Sequence, residues 1–205
     1  MTASLMTAMF LSFPLILLLA AAALTGCAPA EPELAGKPLS AWEQQLTSTG
    51  RHDRLSAIRA IGAATLEPSQ QARAVPILEQ ATTHEDRAVR YWAVRALGGI
   101  QPLPTSAAGR MQEALNDDAP EVRIWAAHAL CKSGDLETGL PILIQELGGT
   151  SGPARLHAAH ALEDLGDQAR PAVEALAARQ GDAFGYPDRV ATRILKSLGE
   201  STPGT

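Results

Sequence analysis

The chain has 205 residues, with 17 Lys and Arg against 22 Asp and Glu, a formal net charge of −5 and two cysteines. A mildly acidic balance without blocks of Lys or Arg excludes a nucleic-acid face, which rests on clustered cations that neutralise phosphates, and two cysteines exclude a disulfide scaffold. Every charge falls after Gly26, and beyond it the aromatics are only Trp42, Tyr91, Trp92, Trp125, Phe184 and Tyr186, so a core must be built from Ala, Leu, Ile and Val.

Residues 1–26 read as a targeting segment rather than as fold. The run FLSFPLILLLAAAAL from Phe10 to Leu24 is apolar apart from Ser12 and Pro14, and is short for a membrane span, which needs about 20 apolar residues. The stretch before it lacks the Lys or Arg with which signal peptides usually begin. Leu24-Thr25-Gly26-Cys27 resembles the lipobox of bacterial lipoprotein signal peptides. The resemblance implies cleavage before Cys27, a diacylglyceryl group on its sulfur, and a chain held by lipid to a membrane of the bacterial cell envelope, on the periplasmic or surface side; the alternatives are an uncleaved single-span anchor and a plain secretory signal cut at a different small residue. Residues 27–38 would then be the lipidated cysteine and a flexible tether. Within them APAEPELAG, from Ala28 to Gly36, is small, acidic and Pro-containing, and reads as a structureless link.

Ser40-Ala41-Trp42-Glu43 has the form of a capping box opening a first helix that carries Trp42 and Leu46. A repeat follows: RLSAIRAIG from Arg54, RYWAVRALG from Arg90, RIWAAHALC from Arg123 and RLHAAHALE from Arg155. The lines recur every 32 to 36 residues or so, the period of stacked helical repeats. Alanine stands three places after each arginine (Ala57, Ala93, Ala126, Ala158) and again six places after (Ala60, Ala96, Ala129, Ala161), with Ile61, Leu97, Leu130 or Leu162 next. These offsets share one helical face, and alanine there lets a neighbouring helix approach closely. Between the lines lie further amphipathic stretches, ARAVPILEQA from Ala72, AAGRMQEAL from Ala107, ETGLPILIQEL from Glu137 and ARPAVEALAA from Ala169. Pro76, Pro141 and Pro171 are placed in their first turns, and Gly134 and Gly166 serve as left-handed helix stops. RVATRILKSLG from Arg189 keeps the periodicity without the alanine register, as a capping terminal unit does.

These lines resemble the short HEAT-like repeats named from phycobilisome lyases, whose pattern runs Val-Arg-x-x-Ala-Ala-x-Ala-Leu-Gly before a second helix. Val89-Arg90 through Gly98 matches with Val94 in place of the second Ala, and Val122-Arg123 through Leu130 matches with Cys131 in place of Gly. The resemblance implies an all-α, right-handed α-solenoid of about four to five helix pairs over residues 39–199, with 200–205 as a tail. It implies no activity, because many unrelated functions share the scaffold.

The repeat leaves outward the positions one, two and five places after each arginine, and the resemblance implies that they line the face on which partners are bound: Leu55, Ser56, Arg59; Tyr91, Trp92, Arg95; Ile124, Trp125, His128; Leu156, His157, His160. Aromatics and arginine are what protein interfaces concentrate. The binding set is accordingly Tyr91, Trp92, Arg95, Ile124, Trp125, His128, Leu156, His157 and His160, with titration of the histidines between about pH 6 and 7 expected to modulate it. The alternative use of Trp92 and Trp125 is to cover gaps in the helix layer. Convergence of His128, His157 and His160 would permit zinc, but no acid shares their positions, and no metal or cofactor is expected. Deoxyhypusine hydroxylase, a HEAT-like enzyme, holds iron through several His-Glu pairs; here His84-Glu85 alone is such a pair, in a loop. Cys131 reads as a small buried hydrophobe. No phosphate loop, HExxH or nucleophile elbow occurs, so no catalytic residue and no small-molecule substrate is assigned. Arg54, Arg90, Arg123 and Arg155 are expected to pair with acids of the turns, Asp86, Asp117, Asp118, Asp135 and Asp167, with Arg123 facing Asp118.

The reading is a membrane-anchored scaffold that binds another protein of the cell envelope. The alternative is an accessory subunit of an exported enzyme, since FGYPDRVATRILKSLG is similar to the last helix of HEAT-type units found beside bacterial sulfatases. A metal-dependent enzyme comes third.

Overall fold

The computed structural model describes residues 33–65, 68–178 and 186–199. The targeting segment, Cys27, the first part of the tether, Phe184 and the 200–205 tail lie outside the described residues. The link expected to be structureless to Gly36 is ordered from Glu33. Strands β1 (Glu33–Leu34) and β2 (Lys37–Pro38) pair antiparallel in the register Glu33 to Pro38 and Leu34 to Lys37. Ala35 and Gly36 make the turn with positive φ, the conformation a two-residue hairpin loop requires.

Helices follow in pairs: α1 (Leu39–Gln45), α2 (Arg51–Ala64), α3 (Pro68–Ala81), α4 (Arg87–Gly98), α5 (Thr105–Ala114), α6 (Pro120–Lys132), α7 (Leu136–Leu147), α8 (Gly152–Leu165), a 3-10 segment (Gly166–Ala172) with α9 (Val173–Ala177), and α10 (Tyr186–Ser197). The repeat lines are α2, α4, α6 and α8, which pack side by side and continue to α10, while α1, α3, α5, α7 and α9 pack along them. This is an all-α solenoid. Among the described residues no helix is long and apolar enough to cross a membrane.

The alanine register has a steric cause. Ala57, Ala93, Ala126, Ala129, Ala158 and Ala161 are all fully buried, with Ile61, Leu97 and Leu162 beside them. A Cβ built on Gly98 of α4 would stand 2.8 Å from the Ala129 Cβ of α6, so the two helices meet at the limit that Gly and Ala allow. Helices α6 and α7 are tighter still at Gly139, where a Cβ would fall 2.4 Å from the Ala127 carbonyl oxygen and 2.6 Å from Cys131 Sγ. Helix α6 buries apolar residues on two sides. Val122, Ala126, Ala129 and Leu130 join one core cluster, and Ile124, Ala127 and Cys131 join the next. Such a helix is central by composition.

Three local expectations are corrected. Helix α1 starts at Leu39 with Pro38 as its N-cap, so Ser40 lies in the first turn rather than at the cap; Trp42 and Leu46 are buried as expected. Pro76 and Pro141 lie inside α3 and α7 rather than in first turns. Both are exposed, so the carbonyls four residues earlier that lose a donor can turn to water. Pro171 falls in the 3-10 segment, which is why ARPAVEALAA gives only a short α9. Gly134 and Gly166 do adopt positive φ, +98° and +55°.

Candidate interaction face

The register arginines set the face by fixing the helices that carry it. Three of the four reach back to two carbonyls of the preceding loop through Nη1, while Arg155 is buried within α8. Arg54 donates to Ser48 and Thr49, Arg90 to His84 and Glu85, and Arg123 to Asp117 and Asp118, at 2.7–3.2 Å. The rest of the guanidinium goes to an acid of the following repeat. Arg54 Nη2 meets Asp86 Oδ2 at 2.8 Å, and Arg90 grips Asp117 with Nε at 2.7 Å and Nη2 at 2.9 Å while also pairing with Asp118. The same carboxylates take backbone donors where the helices begin: Asp86 caps α4 through the Ala88 N–H, and Asp117 accepts the N–H of Ala119, the N-cap residue of α6. Burial works to raise the carboxyls of Asp86 and Asp117. The arginine and backbone donors outweigh it and hold both below the usual carboxylate range.

The series breaks at Arg123, which was expected to face Asp118. It touches the Asp118 carbonyl only, and its Nε donates to Glu146 of α7 at 2.7 Å. The cause lies one repeat on, where Ser151 caps α8 in the place that Asp86 holds at α4. A buried Glu146 supplies the missing charge. The signal in the sequence was a single carboxylate in the otherwise apolar stretch LPILIQEL, which demands a cation when buried. Asp135 caps α7 through the Thr138 N–H, and Asp167 pairs with Arg170 on the surface. His84 is no ligand pair with Glu85; its Nδ1 accepts the Asp86 N–H at 2.9 Å.

Across α2, α4, α6 and α8 runs a ladder of rings and cations. Arg59 of α2 stands over the Trp92 ring of α4 at 5.1 Å. Tyr91 and Trp92 meet edge-to-face at 5.3 Å. Arg95, exposed, lies 4.4 Å from the Trp125 ring centre and 5.8 Å from those of Tyr91 and Trp92, with Nη1 donating to Tyr91 Oη at 3.1 Å. Trp125 Nε1 donates to His157 Nδ1 at 3.3 Å, which places the proton of a neutral His157 on Nε2. Trp92 and Trp125 also rest on the first core cluster, so they pack with one edge and present the other.

The remaining site residues divide. His128 Nε2 meets Asp164 Oδ2 at 2.9 Å, and His160 Nδ1 meets Glu163 Oε2 at 3.4 Å. The three imidazoles thus have three different partners, and the described residues hold no group of three or more His, Cys, Asp or Glu that could take a metal. Burial pushes His128 and His157 below the ordinary imidazole value, and in His128 the Asp164 carboxylate only partly opposes it. Leu156 is half-buried against the second core cluster. Ile124 does not face outward: it is fully buried, because α6 is enclosed between two core clusters and has little outer surface to offer. Cys131 is a buried free thiol, pushed up to about 11 by burial and by Asp135.

Two open hollows flank the ladder. One of about 520 Å³ is lined by Arg51, Arg87, Tyr91, Glu121, Ser151 and His157 at the helix N-termini. The other, about 280 Å³, is lined by Arg95, Gly98, Gly99, Trp125, His128 and Asp164. Such an arrangement offers stacking surfaces, guanidinium donors and a neutral imidazole N–H, which is recognition chemistry.

The family model for HEAT repeats matches residues 39–109 and 107–199. None of the curated proteins compared matches the chain in sequence. Solved structures similar to it include a designed armadillo repeat protein in complex with the peptide (KR)4, at 18% identity over 78% of this chain and 81% of that one, with a TM-score of 0.57. Computationally designed armadillo repeat proteins for modular peptide recognition match at 20% identity over 78% and 82%, TM-score 0.54. An engineered protein matches at 23% identity over 78% of each chain, TM-score 0.54.

Proposed function

Given that the chain belongs to the HEAT-repeat family, whose stacked helices are a scaffold suited to binding other proteins, we propose that it is a lipid-anchored interaction scaffold of the bacterial cell envelope. The observation that carries the binding part is the unbroken ladder Arg59, Trp92, Arg95, Trp125, His157, which spans four consecutive repeat helices. Large rigid rings and guanidinium groups are the side chains on which interface energy concentrates, and ridged helical arrays recognise extended partners along such a row. Similar designed repeat proteins are described as peptide binders. The anchor rests on the lipobox-like Leu24-Thr25-Gly26-Cys27, with more than one acyl chain needed for stable attachment.

The test is crosslinking in envelope preparations with a photoreactive group placed at Lys132, whose ammonium lies 3.3 Å from the Asp164 carboxylate that lines the hollow beside Arg95 and Trp125. A discrete crosslinked protein that disappears in Trp92→Ala/Trp125→Ala, while far-ultraviolet circular dichroism is retained, is the expected result. Crosslinking indifferent to that double change overturns the assignment of this face. A fatty-acyl mass increment on Cys27, absent in Cys27→Ser, tests the anchor, and an unmodified Cys27 in the mature chain refutes it.

A further inference from the structure

The cations of the ladder differ from the register arginines Arg54, Arg90 and Arg123, which spend their donors on carboxylates and loop carbonyls inside the fold. Arg59 and Arg95 are exposed, and among the described residues no carboxylate lies within ion-pair distance of either. They are nonetheless held, Arg59 over Trp92, and Arg95 among three rings with one hydrogen bond to Tyr91. A guanidinium kept planar on a ring and pointed at solvent retains most of its donors and has already lost side-chain freedom. It is a prepared receptor for a carboxylate, which its fork meets with two parallel bonds.

Further cations lie beside them. At this end of the face Arg51 and Arg87 are also largely exposed, each in only a long contact with an acid, to Asp86 at 3.7 Å and to Glu121 at 3.9 Å. A chain of net charge −5 therefore places a cationic strip across α2 and α4. An acidic segment would be drawn to that strip and repelled elsewhere. The two ladder arginines sit on neighbouring helices, which pack about 8–10 Å apart. An extended peptide in the polyproline II conformation advances about 3.1 Å per residue with three residues per turn, so acidic side chains three residues apart share one side and reach both.

We infer that the α2–α4 part of this face binds an extended acidic peptide segment, with Arg59 and Arg95 receiving its carboxylates and Trp92 flanking its backbone. The inference rests on the reading of the ladder as the docking face. Its charge is the reverse of that required by the basic peptide (KR)4 of the similar designed protein, which gives a matched pair of probes.

The experiment is fluorescence anisotropy of labelled (Asp-Glu)4 and (Lys-Arg)4 titrated with the full chain at low salt. Binding of (Asp-Glu)4 but not (Lys-Arg)4 is expected, weakened about tenfold or more in Arg59→Gln/Arg95→Gln and steeply by added salt. Both arginines are exposed, so the variant keeps the fold. Binding of (Lys-Arg)4 with equal strength, no binding of (Asp-Glu)4 to the wild-type chain, or (Asp-Glu)4 binding unchanged by the double substitution each overturns the acidic class. If one of these occurs while the Lys132 crosslink remains sensitive to Trp92→Ala/Trp125→Ala, the docking face stands and only its partner chemistry falls.

Discussion

Replacing Arg90 with Met keeps the aliphatic stem and removes the guanidinium, and this single change tests whether the arginine ladder holds the repeats in register. The side chains of Arg90 and Asp117 are only 12% and 9% exposed. Without the guanidinium, Asp117 keeps one donor, the Ala119 N–H, and the His84 and Glu85 carbonyls lose theirs. Removing one partner of a buried pair costs about 3–5 kcal/mol, and the lower end applies because the second acid, Asp118, is 88% exposed and free to rehydrate. About 3 kcal/mol is a large share of the 5–15 kcal/mol typical of a domain. It corresponds to a fall in Tm of about 6–12 °C for a chain of this size. Urea and thermal melts followed by circular dichroism measure it, with Arg110→Met as control. Arg110 and Glu113 are 40% and 64% exposed, and breaking such a pair costs under about 0.5 kcal/mol. A loss in Arg90→Met no larger than in Arg110→Met, or zero coupling in a double-mutant cycle with Asp117→Asn, would refute the reasoning.

Gly139→Ala should lower stability by about 1–3 kcal/mol, because its Cβ meets the rigid Ala127 carbonyl and overpacking outweighs the gain in helix propensity. Gly109→Ala, whose Cβ meets nothing within 4 Å, should instead raise the urea midpoint; equal effects would show that α6 and α7 are not in close contact. Stability should fall as pH drops from 7 towards 5, since His128 and His157 are depressed by burial and the unfolded chain takes up protons first. Below about pH 4 it should fall further as Asp86, Asp117, Glu163 and Asp164, all held low in the fold, become protonated. A melt midpoint flat or rising between pH 7 and 5 contradicts the imidazole part. Trp125→Phe keeps the ring and deletes the donor to His157 Nδ1, so an NMR titration should find His157 moved up towards the ordinary value; no movement denies that bond a role.

The helices, their pairing and the alanine seams were legible because they are periodic: Ala57, Ala93, Ala126 and Ala158 recur at one offset and are buried at one seam. What the period could not show is where neighbours differ. Ile124 stands in the same register as Tyr91 and Leu156, yet α6 is enclosed on both sides, so the offset that faces outward elsewhere faces a core there. Arg123 likewise turns to Glu146 because the turn acid of the earlier repeats is Ser151 at its neighbour. Ordering of Glu33–Pro38 was hidden for another reason. Its small acidic residues read as a link, and what holds it is a long-range bond, Trp42 Nε1 donating to the Leu34 carbonyl at 2.9 Å.

The position five places after each register arginine gives the face a direction. It holds Arg59, Arg95, His128 and His160 in turn. The first two are permanent cations lying on rings, whereas His128 and His160 are engaged with Asp164 and Glu163. One end of the row therefore presents charge outward and the other satisfies its polar groups within the fold. Within this row His128, which burial holds below the ordinary imidazole value, gains its charge beside Asp164, which neutralises it. Titration should consequently change the stability of the α6–α8 end more than the affinity of the α2–α4 end, which places the expected pH sensitivity of binding in the scaffold's distal half rather than at its arginine receptors.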